Sequence, residues 1–200
     1  MHDADAVTGP ADRERYRSER RIVDRREGPV AAAASAEVAD GWSVLVGFGS
    51  IAGYVAVDGE LDPGPLLTSL AGRGARLHLP VLDGDALRFG PVDETTELVA
   101  NRFGIPEPTG VDLVDGGDLD AVLVPLVAVD VRGNRLGFGA GFYDRTFAFL
   151  RSATRPARPL LVGLAHDLQV VDEIDPSPWD VHLDAVLTPT RRIGISVPVD

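Results

Sequence analysis

Apolar and polar positions along the chain follow two periods, and the change from one to the other marks its elements. Residues 11–27 hold few helix breakers and end at Gly28-Pro29, which predicts one helix, with an alanine-rich second helix over 29–38. Arg13, Arg17, Arg21 and Arg25 recur every four residues on one face of the first helix, with Glu14 and Glu19 near enough for ion pairs. Residues 43–48 and 51–57 are β-branched and aromatic runs and read as strands. Leu66, Leu67 and Leu70 have helical spacing within 63–72, residues 75–82 and 87–89 read as strands, and 94–103 reads as a helix. The prolines of 105–108 dictate an extended turn, since each restricts the residue before it. Residues 121–129 form an unbroken apolar run, the pattern of a central strand covered on both faces. A glycine-rich turn over 132–141 then opens a helix at 142–151. Buried strands at 160–164 and 184–187 and an edge strand at 193–197 complete the set.

Strands alternating with helices define an α/β fold, a single three-layer α/β/α domain with a mostly parallel sheet. Residues 1–10, small and acidic, are expected to be a flexible tail, with one domain over 11–200. At 44% hydrophobic and 25% charged, the 200 residues match an ordinary globular domain.

Charge and composition remove several classes of function. A net charge of -12 argues against nucleic acid as a partner. No apolar stretch is long enough to span a bilayer, and the start of the chain lacks a secretory pattern, so the expected compartment is the cytoplasm and the expected state a monomer. Cysteine is absent, and His2, His78, His166 and His182 form no zinc-binding spacing. All 19 basic residues are arginine, so a phosphate would be gripped by guanidinium, backbone N–H or metal rather than by an ammonium.

The stretch with most chemistry runs from Leu123 to Arg145. A buried strand and a turn at Arg132-Gly133-Asn134 lead into Arg135-Leu136-Gly137-Phe138-Gly139-Ala140-Gly141-Phe142-Tyr143-Asp144-Arg145. Glycines at alternate positions let a phosphate approach backbone amides at the opening of a helix. Asp144 is placed either to cap that helix or to hold magnesium bridging phosphates, and Arg135 and Arg145 flank the loop as candidate clamps. The spacing fits neither a dinucleotide fingerprint nor a lysine-bearing phosphate loop. Glycines serving only a tight connection remain an alternative for this loop taken alone.

Together with its preceding strand, the loop resembles the signature of the 5-formyltetrahydrofolate cyclo-ligase family. Further segments are similar in the same order: Arg13-Glu14-Arg15-Tyr16-Arg17, Tyr54 to Glu60, Gly104-Ile105-Pro106-Glu107-Pro108, and Trp179-Asp180 followed by Asp184 to Pro189. The resemblance implies a Rossmann-like architecture, as in sugar-phosphate isomerases and CoA transferases, and an ATP-dependent closure of a reduced folate, the small-molecule substrate. It places ATP on Arg13, Arg17 and the 135–143 loop, with Arg135, Tyr143 and Asp144 as catalytic residues. Magnesium (Mg2+) falls to Asp144 and Asp180, and the folate to Val55, Glu60 and residues 138–142. The Glu107 turn is expected to be structural.

Phe138 stands where the resemblance leads one to expect arginine, so a guanidinium beside the phosphates is missing unless Arg132, Arg135 or Arg145 replaces it. That departure motivates a second reading, a weak relative that binds nucleotide or folate in a regulatory or storage role. A third, by architecture alone, is a sugar-phosphate isomerase or acyl-CoA transferase.

Overall fold

A computed structural model describes residues 9–45 and 47–199; most of the expected tail, positions 1–8, lies outside the described residues. The chain opens with one helix, α1 (Pro10–Ala39), rather than the two expected. Pro10 at its start requires no N–H partner, and Asp12 accepts the Gly9 N–H at 3.0 Å. Pro29 sits inside α1 and does not stop it. An internal proline costs about 3 kcal/mol; the burial of Ala31, Ala32, Ser35 and Ala39 beyond it offsets that cost.

Residues 43–45 and 47 form turns, not the predicted strand. The N–H groups of Trp42 and Leu45 close successive turns, on the carbonyls of Ala39 and Trp42, which tuck Trp42, Val44 and Leu45 into the core. Then come β1 (Ser50–Ala52), α2 (Gly64–Gly72), β2 (Arg76–Asp83) and β3 (Ala86–Val92). The predicted helix at 94–103 is instead a hairpin of β4 (Leu98–Ala100) and β5 (Pro106–Pro108). Asn101 makes its turn, its Oδ1 accepting the N–H groups of Phe103 and Ile105 and its amide donating to Glu107 Oε1 at 2.7 Å. Glu107 Oε1 also accepts the Leu82 N–H, tying the hairpin to β2 in the structural role expected of that turn.

The predicted strand over 121–129 breaks in two. Its first part, β6 (Ala121–Pro125), enters the main sheet, while β7 (Ala128–Asp130) pairs with β8 (Arg135–Leu136) and β10 (Val170–Val171) in a small second sheet. Pro125 ends donation to the ladder, and the Leu126 carbonyl is taken by the side chains of Arg20 and Gln169. Next come α3 (Phe142–Thr146), shorter than predicted and followed by a 3-10 turn over Ala148–Ser152, then β9 (Leu160–Leu164), β11 (Ala185–Leu187) and β12 (Arg192–Gly194).

The main sheet has the order β12-β11-β9-β6-β1-β2-β3. Its five inner strands run parallel, and an antiparallel strand lies at each edge. Side chains alternate across it. Ile51, Leu123 and Val162 face α1 and α2, whereas Ala52, Val122, Val124 and Leu161 face Phe147 and Leu150. These two apolar layers make the three-layer α/β/α arrangement and leave the carboxyl ends of β1 and β6 open on one side.

Candidate functional site

A cleft of about 1100 Å³ lies at those carboxyl ends, where ligands enter open α/β sheets. Several parts of the chain build it, among them α1, the loop after β1, β2, the β4–β5 hairpin, the glycine loop after β8, and residues 174–180. Every residue assigned to a site from the sequence lines it: Arg13, Arg17, Val55, Glu60, the run from Arg135 to Asp144, and Asp180.

From α1, Arg13 and Arg17 face the cleft, and Arg20, one turn further on, is fully buried beneath it. Arg20 was not singled out by the four-residue arginine repeat. A helix advances 3.6 residues per turn, so the face that starts at 13 and 17 continues at 20 rather than at 21. Arg20 donates to the carbonyls of Leu126 (2.9 Å) and Asp58 (3.0 Å), to Asp58 Oδ2 (3.3 Å), and lies 4.0 Å from Glu60 Oε1.

Glu60 is 5% exposed and closes its own turn by accepting the Val57 N–H at 3.0 Å. Burial pushes its pKa from 4.5 up to about 7, against the opposing pull of that hydrogen bond and of Arg20. Burial likewise raises the Tyr54 and Tyr143 hydroxyls, which remain neutral donors; the Tyr54 hydroxyl donates to the Leu61 carbonyl at 2.6 Å.

The glycine loop is open to the cleft. Gly139 has φ +102 and Gly141 φ +68, and no protein atom lies within 4 Å of where a Cβ would stand at Gly137 or Gly139. Because α3 has only five residues, the loop's own backbone, not a long helix, borders the cleft. The Phe138 ring projects beneath two guanidiniums, 5.2 Å from Arg17 and 4.8 Å from Arg20. Where a third cation was expected, an aromatic face holds two existing ones.

The expected replacements for that cation behave differently from one another. Arg132 is outside the cleft lining and pairs with Glu173 at 2.6 Å. Arg145 lines the cleft and reaches the Asp85 and Ala140 carbonyls. Arg135 is buried, donating to Asp144 Oδ1 at 2.6 Å and to the Val181 carbonyl. The Val181 N–H also donates to Asp144 Oδ1 (3.1 Å), so this carboxylate is held by two partners through one oxygen. Asp180 accepts the Ser177 N–H through Oδ2. Each aspartate thus keeps one oxygen without a hydrogen bond among the described residues. Those residues contain no cluster of three or more His, Asp or Glu positioned for a metal. Two carboxylates lining a polyphosphate-sized cleft nonetheless suit magnesium, which takes one or two carboxylates and completes its shell with phosphate and water.

His78 and His166 are buried, and burial depresses both pKa values. Neither lines the main cleft.

Fold and site together define an α/β protein of the class that sets an open glycine loop in a cleft at the carboxyl end of a parallel sheet. The model of the 5-formyltetrahydrofolate cyclo-ligase family matches residues 11–189. The 5-formyltetrahydrofolate cyclo-ligase of Escherichia coli strain K12 is 40% identical over 148 residues, covering 71% of this chain and 79% of the relative. The protein of that name from Mycolicibacterium smegmatis is 38% identical over 183 residues, 86% of this chain and 91% of its own. The solution structure of Aquifex aeolicus 5,10-methenyltetrahydrofolate synthetase superposes with a TM-score of 0.80 at 26% identity, covering 95% of this chain and 94% of that one. The chain belongs to the 5-formyltetrahydrofolate cyclo-ligase family.

Proposed function

We propose that this protein converts 5-formyltetrahydrofolate to 5,10-methenyltetrahydrofolate at the expense of ATP, releasing ADP and phosphate. The observation that carries the proposal is the convergence of Arg13, Arg17, the open glycine loop, Glu60, Asp144 and Asp180 on one cleft. The formyl oxygen attacks the γ-phosphorus and the bond to the β-phosphate oxygen breaks. The neighbouring exocyclic amine nitrogen, N10 of the folate, then attacks the formyl carbon, loses its proton, and expels phosphate, closing the five-membered ring.

The chain's own groups supply positioning and charge neutralisation, as in other phosphoryl transfers. Arg13 and Arg17 bind phosphate oxygens, Arg17 braced by the Phe138 ring. The Gly137 to Gly141 backbone lets phosphate approach amides without side-chain interference. Val55, Glu60 and residues 138–142 hold the folate, and the neutral Tyr143 hydroxyl donates a hydrogen bond without adding charge. Asp144, oriented by Arg135 and the Val181 N–H, and Asp180 would hold magnesium, which when bound neutralises phosphate charge. The support that Phe138 gives Arg17 and Arg20 favours an active enzyme over a degenerate binding relative.

The test mixes purified protein with 5-formyltetrahydrofolate, ATP and magnesium and follows methenyl-folate absorbance, with Asp144→Asn as control. Product that forms only with ATP, and is lost in the variant, is expected. Saturable binding without turnover would transfer the assignment to the regulatory or storage reading.

A further inference from the structure

The proposed function makes no use of Asp58, yet more of the site meets there than at any other carboxylate. Its Oδ2 accepts Arg17 Nε at 2.8 Å and Arg20 Nη2 at 3.3 Å, and its Oδ1 lies 3.1 Å from Arg21 Nη1. Its carbonyl accepts Arg20 Nε. It lines the main cleft and also a smaller cavity of about 570 Å³ that shares the same loop.

The backbone there is unusual. Asp58 has φ +55, the only positive value at a non-glycine position among the described residues, and such conformations persist where surroundings enforce them. Gly59 follows at φ +78, with its Cβ position 2.8 Å from Arg21 Cα, so this turn is seated directly on α1. Glu60 comes immediately after it.

We propose that Asp58 is a positioning residue that joins the two halves of the site, aiming the Arg17 guanidinium at the nucleotide while anchoring the turn that carries Glu60. The inference rests on the assignment of nucleotide to Arg17 and folate to Glu60. With Nε committed to Asp58 and Nη1 3.4 Å from Glu14 Oε2, Arg17 keeps Nη2 for phosphate. A nucleotide that fixes Arg17 thereby fixes Asp58 and the turn beyond it; a folate that fixes the turn fixes Arg17 in the same way. The second ligand then meets a site whose ordering cost has already been met, which gives positive coupling. Coupling of this kind is reciprocal, commonly about 5- to 150-fold in affinity.

The experiment is calorimetric titration with a non-hydrolysable ATP analogue, with and without saturating 5-formyltetrahydrofolate. It compares the unaltered protein with Asp58→Asn, since asparagine tolerates positive φ. In the unaltered protein, folate is expected to tighten the analogue at least about 5-fold, and in the variant the two affinities should converge to within about 2-fold of each other. A purely structural Asp58 would weaken both affinities in parallel and leave their ratio unchanged, which overturns the inference. A ratio of one in the unaltered protein overturns it as well. Should Asp58→Asn fail to fold, Arg17→Gln removes the Arg17 link together with that residue's own phosphate and Phe138 contacts, leaves Arg20 and Arg21 on Asp58, and should abolish the same coupling whatever it does to the absolute affinity; a ratio retained there counts against the proposal. Unaltered protein that binds neither ligand would overturn the functional assignment too, whereas turnover with an unmoved ratio removes this inference alone.

Discussion

Replacing Glu60 with glutamine should stabilise the protein at alkaline pH while damaging its function. The folded carboxyl titrates near 7 against 4.5 for a free side chain. A group with a raised acid pKa gives stability that is fully present below the unfolded value and lost as pH rises through the folded one. The window is therefore pH 4.5 to 7, and at about 1.4 kcal/mol per unit the ionised carboxylate costs the fold on the order of 3 kcal/mol above it. Glutamine stays neutral, keeps an oxygen for the Val57 N–H, and avoids that cost. Its advantage over the unaltered protein should grow by about 3 kcal/mol between pH 4.5 and 8, or roughly 6–12 °C in Tm for a chain of this size. Burial depresses the pKa values of His78 and His166 as well, but both proteins carry them, so the difference isolates position 60. Urea unfolding at pH 4.5, 6 and 8 measures it, and folate affinity at pH 8 should fall in the same variant. A stability difference independent of pH, or a less stable variant at pH 8, would refute burial as the cause of the shift.

Asp144→Asn leaves the buried Arg135 without its counter-ion, and loss of one partner of a buried pair costs about 3–5 kcal/mol; thermal melts should show it, alongside loss of turnover. Phe138→Ala removes the ring under Arg17 and Arg20, worth about 1–2 kcal/mol, which should appear as a roughly 5- to 30-fold rise in KM for ATP. Phe138→Arg, in contrast, sets a third cation against those two, and its Tm should fall without any gain in kcat. Gly59→Ala forces a Cβ into the backbone of Arg21 at positive φ and should destabilise the fold by about 2 kcal/mol or more in denaturant titration.

The parts of the molecule that were legible from sequence are those governed by local chemistry. The apolar run at 121–125, the leucines of α2 and the glycines of the 137–141 loop each state their environment in residue type alone. What escaped depends on contacts distant in the chain. Residues 94–103 have helical composition, but Asn101, Glu107 and the Leu82 N–H lock them into a hairpin. Gly28-Pro29 has the form of a helix stop, but the alanines beyond it are buried against the sheet and carry the helix through. Arg20 and Asp58 were invisible for the same reason, since one is an arginine among many in α1 and the other an ordinary Asp-Gly turn. Their partners are revealed only when α1 docks on the loop after β1.

The Arg20 guanidinium donates to a carbonyl 106 residues further along the chain, and Arg135 and Asp144 close on Val181 later still. During synthesis the first helix therefore leaves the ribosome long before anything exists to receive its buried charge, and the site proposed for both ligands forms only once Val181 has been made. A ligand that binds the finished form alone stabilises it by mass action. The supply of folate and nucleotide in the cell would then govern how long each newly made copy survives proteolysis, as well as how fast it works.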